Sequence, residues 1–85
     1  MIQRSPADPE DIARRGNAIY DQRVAPQVTT RNPQDYVVID VDSGDFEVAE
    51  KSLVATKKLR ERRPAAVMWG RYVGTPISVR FGVLR

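Results

Sequence analysis

The sequence predicts a small α+β domain with the element order α-β-β-α-β-β. Two segments repeat apolar residues at helical spacing, and the remaining segments alternate apolar and polar residues as strands do. Turns that contain Gly or Pro separate these segments. We therefore expect a four-stranded mixed or antiparallel sheet made of two hairpins, with a crossover helix on one face.

One domain accounts for the chain. The sequence has 85 residues and is 41% hydrophobic, and a fold of this size buries only about 60–65% of the unfolded surface, so oligomerisation is a route to further burial. We predict a flexible lead-in over residues 1–8 and a single domain over residues 9–85. The first ten residues predict neither a signal peptide nor a membrane span, and we expect a cytoplasmic protein.

The first helix is predicted over about residues 9–25. Asp8 can cap it with Pro9 at its first position, and Pro26 ends it. We interpret Gly16 as a neutral interior position. The helix packs either on its own sheet or on another protomer. The apolar side of this helix contains Ile12, Ala13, Gly16, Ile19, Tyr20 and Val24.

The sheet is predicted over about residues 35–82, and its first hairpin begins near residue 37. The first strand buries one face only, with Val37, Ile39 and Val41 inside and Val38, Asp40 and Asp42 outside. Residues 42–45 form the turn, because Gly44 can take the positive φ of a tight hairpin. Residues 46–48 form the returning strand.

The second helix is predicted over about residues 49–62, with Pro64 after its end. A third strand follows at residues 66–73, then a turn at residues 74–76 and a fourth strand at residues 77–81. The inner side of the helix is predicted to contain Val48, Ser52, Ala55, Thr56 and Leu59, and one face of the third strand Val67, Trp69 and Val73.

Charge is divided between the two parts of the sequence. Residues 1–50 contain five Lys or Arg and ten Asp or Glu, whereas residues 51–85 contain nine and one. This division favours a charged interaction surface or self-association over catalysis.

The composition narrows the chemistry available to the chain. It has no His and no Cys, which excludes imidazole base catalysis, thiol nucleophiles and ordinary zinc sites. We expect no cofactor and no metal, because the carboxylates of residues 40–50 also lack the glycine and glutamate spacing of an EF-hand loop.

One enzymatic hypothesis remains at Asp42-Ser43-Gly44, which resembles the active-site loop of aspartic proteases and follows an apolar strand. Residues 67–71 also resemble the apolar-Gly-Arg segment of retropepsins. Only about 25 residues separate the two motifs, and a predicted helix lies between them. We therefore favour a hairpin turn and predict a protein that is not an enzyme.

The basic second helix is the main candidate for binding. It could contact an acidic protein surface, including the N-terminal half of this sequence, or nucleic acid phosphates, or simply be solvated. No helix-turn-helix or ribonucleoprotein aromatic motif is present. We predict that Trp69 packs beneath this helix, with Trp69 and Tyr72 as alternative interface aromatics. The basic face comprises Lys51, Lys57, Lys58, Arg60, Arg62, Arg63, Arg71 and Arg80, with Arg85 as a possible extension.

Several short motifs together suggest a family. The sequence resembles a group of small bacterial proteins of unassigned function, often encoded beside a retropepsin-like aspartic protease in pairs reminiscent of toxin and antitoxin modules. This resemblance implies a small regulatory or partner-binding protein and no catalytic residues. The motifs are residues 16–20 with Pro26, residues 38–40, residues 44–47, Ala55, Leu59, residues 62–64, residues 69–71 and residues 73–74.

The sequence therefore predicts a non-enzymatic binding module that engages a protein partner or self-associates. The alternative is an accessory nucleic-acid-binding protein that uses the basic second helix.

Overall fold

A computed structural model describes residues 8–74. They form an α+β fold, as predicted, with three strands in one antiparallel sheet. Some predictions lie outside the described residues. They concern the fourth strand at residues 77–81, Arg80, Arg85 and residues 1–7 of the lead-in. The elements are helix α1 (Pro9–Ile19), strand β1 (Tyr36–Asp40), strand β2 (Phe46–Ala49), helix α2 (Ser52–Arg62) and strand β3 (Met68–Tyr72).

Strand β1 lies at the centre of the sheet, in the order β2-β1-β3. It pairs antiparallel with both neighbours, so that Val38 lies opposite Glu47 on one side and Gly70 on the other. Helix α2 connects β2 to β3 and therefore passes across β1 from one edge of the sheet to the other.

Both faces of β1 are buried. Val37, Ile39 and Val41 pack on one side with Tyr20 and other residues that follow α1. Val38 packs on the other side in a second cluster, which includes Ala49, Ala55 and Leu59. The prediction of one buried face is wrong because a helix lies on each side of the sheet.

The first helical segment packs on the sheet of its own chain. Asp8 caps α1 by accepting a hydrogen bond from the Glu10 N–H at 3.1 Å. The chain then continues through a π-helical turn (Tyr20–Val24) and a 3-10 turn (Ala25–Gln27). It therefore passes Pro26, because a proline near the start of a short helical turn removes no needed N–H.

Gly16 is a close contact site, and our interpretation of it as a neutral position is wrong. A Cβ at Gly16 would overlap ring atoms of Trp69. Trp69 belongs to the cluster on the α1 side of the sheet, so the prediction that it packs beneath the second helix is also wrong. The missing side chain of Gly16 lets α1 approach the indole ring directly.

Helix α2 begins at Ser52, three residues later than predicted. The shift arises because Val48 and Ala49 continue β2, and Lys51 keeps an extended backbone with φ −123° and ψ 142°. Ala55 and Leu59 are buried against the sheet as predicted. Ser52 is exposed instead, and Val48 packs on the α1 side.

The hairpin between β1 and β2 begins one residue earlier than predicted, because β1 ends at Asp40, and it contains the predicted glycine. Gly44 has φ +83°, the conformation for which glycine is favoured. Its N–H donates to the Asp40 carbonyl at 2.7 Å, and the Asp40 N–H donates to the Asp45 carbonyl at 2.8 Å. This turn places the carboxylates of residues 40–47 at one end of the sheet.

Candidate functional site

Asp40 is a buried carboxylate with a structural role. Its Oδ1 accepts hydrogen bonds from the N–H groups of Asp42 at 3.1 Å and Val67 at 3.2 Å. Its Oδ2 accepts one from the Ser43 hydroxyl at 2.8 Å. Burial alone would raise the pKa of Asp40, but these hydrogen bonds, helped by the positive charge of Arg63, bring the pKa below its ordinary value. The carboxylate therefore joins the hairpin turn to the entry of β3.

Asp42 points away from the core, and its side chain is 59% exposed. It forms an ion pair with Arg15 at 2.9 Å. An aspartic protease needs two carboxylates that share a proton, whereas Asp42 neighbours a guanidinium. The geometry supports the hairpin-turn interpretation of Asp42-Ser43-Gly44.

Arg62 and Arg63 belong to an ion-pair cluster at the hairpin. Asp45 contacts the guanidinium of Arg62 and lies 2.9 Å from Arg63 Nε. Arg62 also lies 2.8 Å from Glu47 Oε2 and donates to the Phe46 carbonyl at 3.1 Å. Both arginines were predicted to form part of a basic binding face, but their charges are compensated by carboxylates of the first half of the sequence.

Asp45 is strongly acidic in this cluster. Hydrogen bonds from Arg62 and then Arg63 lower its pKa to about 2, against a small opposing effect of burial. A carboxylate with this pKa is fully ionised at neutral pH and becomes protonated only as the pH approaches about 2.

The stabilising effect of Asp45 should be fully present at neutral pH and disappear as the pH falls from about 4 to about 2. The unfolded-state pKa is about 3.9, so the folded chain holds the proton less tightly, and acid favours the unfolded chain. Urea unfolding of the wild type and Asp45→Asn at pH 7, 4, 3 and 2 measures this effect. The difference in free energy of unfolding between the wild type and Asp45→Asn should shrink towards pH 2. The same difference at pH 2 as at pH 7 would contradict the stabilising role of the ionised Asp45.

Arg71 lies on the other side of the sheet from α2. Its guanidinium carbon lies 3.9 Å from the centre of the Tyr20 ring, and its Nε donates to the Tyr72 carbonyl at 3.3 Å. The predicted continuity of Arg71 with the basic face of α2 is therefore wrong, because β3 directs this side chain towards the α1 side.

Of the two predicted interface aromatics, Tyr72 is the more exposed. Half of its surface is accessible, and its ring packs edge-on against Tyr36 with ring centres 4.9 Å apart. Trp69 is half-buried against α1. Trp69 therefore lies on the opposite face of the sheet from α2, whereas Tyr72 lies on the α2 face beside Tyr36, which packs in the α2-side cluster.

The exposed surface of α2 combines cations with two aliphatic side chains. Leu53 is 81% exposed and Val54 is 43% exposed. Lys51, Lys57 and Lys58 form no ion pair with the described residues. We call this region the α2 surface and define it as Lys51, Leu53, Val54, Lys57, Lys58 and Arg60.

Sequence reasoning missed Leu53 and Val54 because it concentrated on charge. With the helix running over Ser52–Arg62, 100° per residue places Leu53 well away from buried Leu59. A helical projection places Leu53 and Val54 about 120° and 140° from Leu59, so it would have found both exposed side chains.

A groove of about 360 Å³ lies beside the α2 surface, next to the end of β2. Val48 and Ala49 contribute the strand side, whereas Lys51, Val54 and Lys58 contribute the α2 side. Arg31 and Glu50 complete the rim. Arg31 is held by an ion pair with buried Asp35 at 3.0 Å. Among the described residues, the unpaired charges of the groove are those of Lys51, Lys58 and Glu50, which leave a net positive charge.

Comparisons with protein-family models, curated proteins and solved structures give no match to this chain. The resemblance to small proteins encoded beside a retropepsin-like protease stays a prediction. Within residues 8–74, no helix is long and apolar enough to cross a membrane. The same residues contain no group of three or more Asp or Glu side chains arranged to hold a metal ion.

Proposed function

We propose that this chain is a non-enzymatic protein-binding module whose α2 surface engages an acidic surface of a partner. One observation carries the proposal: Leu53 and Val54 are exposed among lysines that form no ion pairs with residues 8–74. The opposite side of the same helix, which contains Ala55 and Leu59, is buried against the sheet.

An apolar centre with a charged rim suits a protein interface. Protein interfaces bury aliphatic and aromatic side chains at their centre and keep polar groups at their edge. Leu53 would be desolvated by a partner, and Lys57 and Lys58 would meet its carboxylates. The resemblance to partner-binding bacterial proteins supports the same class of function and points to neighbouring gene products as first candidates.

A nucleic-acid ligand is less well supported. Phosphate binding gains from each cation that faces the backbone. Arg62 and Arg63 are compensated by Asp45 and Glu47, and Arg71 lies on the α1 side. The remaining cations surround aliphatic side chains that would contribute nothing to a phosphate contact.

The test is quantitative capture from the source cell, followed by titration of the purified partner. The double variant Lys57→Glu/Lys58→Glu and the variant Leu53→Asp should each weaken the affinity for the partner at least about tenfold, or about 1.4 kcal/mol. Arg14→Glu on α1 is the matched control, since Arg14 is 71% exposed and pairs only with Asp11 among the described residues. It should leave the affinity unchanged.

Two results would contradict the proposal. Recovery of nuclease-sensitive nucleic acid, with steep salt dependence and no effect of Leu53→Asp, would support the nucleic-acid alternative. Sedimentation showing a dimer that Leu53→Asp dissociates, with no other protein captured, would instead assign the α2 surface to self-association.

A further inference from the structure

Strand β2 is an edge strand with a definite outward side. Among the described strands it has a neighbour on one side only. The Asp40 N–H donates to the Asp45 carbonyl, and antiparallel strands alternate bonded and non-bonded residue pairs. With Ile39 opposite Phe46, this alternation turns the backbone groups of Phe46 and Val48 away from β1.

Among residues 8–74, protecting side chains lie only at the hairpin half of this edge. The Phe46 N–H donates to Asp45 Oδ1 at 2.9 Å, and the Phe46 carbonyl accepts from Arg62 at 3.1 Å. Such use of charged side chains is a common way to block an edge strand. Val48 has no comparable cap from any residue within 8–74, and it lies in the groove beside the α2 surface.

The net charge of the groove favours an acidic occupant, because its two unpaired lysines outnumber the single carboxylate of Glu50. Lys51 and Lys58 stand on its α2 side without carboxylate partners among the described residues. Val54 adds an aliphatic contact between them. An extended segment whose alternate side chains are acidic would place its carboxylates on this side, because strand side chains alternate with a period of two.

We propose that the outer edge of β2 accepts an extended acidic segment of a protein partner as an added strand. The segment pairs its backbone with the N–H and carbonyl of Val48 and directs its carboxylates to Lys51 and Lys58. In this mode of recognition, backbone hydrogen bonds supply affinity and the alternate side chains supply specificity. The inference rests on the proposed protein-binding function and specifies the form of the ligand.

The probe is a blocked ten-residue peptide that alternates Glu and Thr, titrated against the full chain. Two matched peptides carry N-methyl groups on alternate backbone nitrogens. In one peptide the methyl groups lie along one edge of the extended backbone, and in the other peptide they lie along the opposite edge. Methylation of the edge that faces β2 should weaken binding about tenfold, since it removes donors and blocks approach. Methylation of the other edge should leave binding unchanged.

A protein variant tests the same contact from the other side. Val48→Pro removes the outward N–H without touching the β1–β2 ladder, since proline is tolerated on edge strands. Val48→Ala is the control, because it loses similar packing and keeps the N–H. Val48→Pro should weaken the peptide affinity several-fold more than Val48→Ala does, and amide exchange spectra confirm that both variants are folded.

The outcomes separate the two proposals. If Lys51→Glu and Lys58→Glu weaken binding but the two methylated peptides bind equally, the protein-binding surface stands and strand addition is wrong. If the peptide binds with no dependence on Lys51 or Lys58, or does not bind at millimolar concentration, the strand proposal fails. The capture experiment with the variants of Leu53, Lys57 and Lys58 then tests the proposed protein-binding function independently of the peptide.

Discussion

Replacement of Asp40 by alanine is expected to lower the free energy of unfolding by about 2–4 kcal/mol, a large share of the stability of a domain this small. The carboxylate accepts three hydrogen bonds, from the Asp42 N–H, the Val67 N–H and the Ser43 hydroxyl. Alanine leaves these donors without their acceptor beside a buried strand end. Urea unfolding followed by circular dichroism measures the change.

Asp42→Ala is the matched control for this experiment. Asp42 lies two residues away, is exposed and forms only a surface ion pair with Arg15 among the described residues. Surface pairs contribute little to stability, so this variant should stay close to the wild type. Equal losses for Asp40→Ala and Asp42→Ala would show that Asp40 is not the centre of the turn.

Gly16→Ala is expected to destabilise the fold by about 1–3 kcal/mol through overpacking. This direction is opposite to that of an ordinary helix position, where alanine is favoured over glycine by about 1 kcal/mol. The reason is the overlap of the added Cβ with the ring of Trp69. The exposed position Ala18 gives the control, since Ala18→Gly should lose about 1 kcal/mol.

A double-mutant cycle makes this prediction decisive. Trp69→Val removes the indole ring while keeping a side chain suited to a strand. In that background Gly16→Ala should become neutral or stabilising, because only the helix propensity of alanine remains. If Gly16→Ala has the same effect with and without Trp69, the contact does not limit this position.

The local parts of the fold could be predicted from the sequence. Asp8 and Pro9 identify the start of α1, and Gly44 identifies the hairpin turn, because each acts on the backbone within two residues of its own position. The layer arrangement could not be predicted in the same way. Alternation in β1 was interpreted as one buried face, but Val38 is as deeply buried as its neighbours once α2 covers it.

Long-range partners account for the errors at the candidate site. The cations of α2 were identified from the sequence, yet nothing local distinguishes Lys58 from Arg62. The difference arises because Arg62 faces the β2 hairpin and its carboxylates Asp45 and Glu47, 17 and 15 residues away. The exposed Leu53 is different, because the helical periodicity alone places it away from buried Leu59.

The position of Trp69 has a consequence for spectroscopy. This residue is the sole tryptophan of the chain, and its ring lies against Gly16 on the α1 side of the sheet. The α2 surface is on the opposite face of the same sheet. Intrinsic indole emission therefore reports whether α1 is docked and is shielded from events at α2, so one optical signal can monitor folding while an unrelated label monitors association.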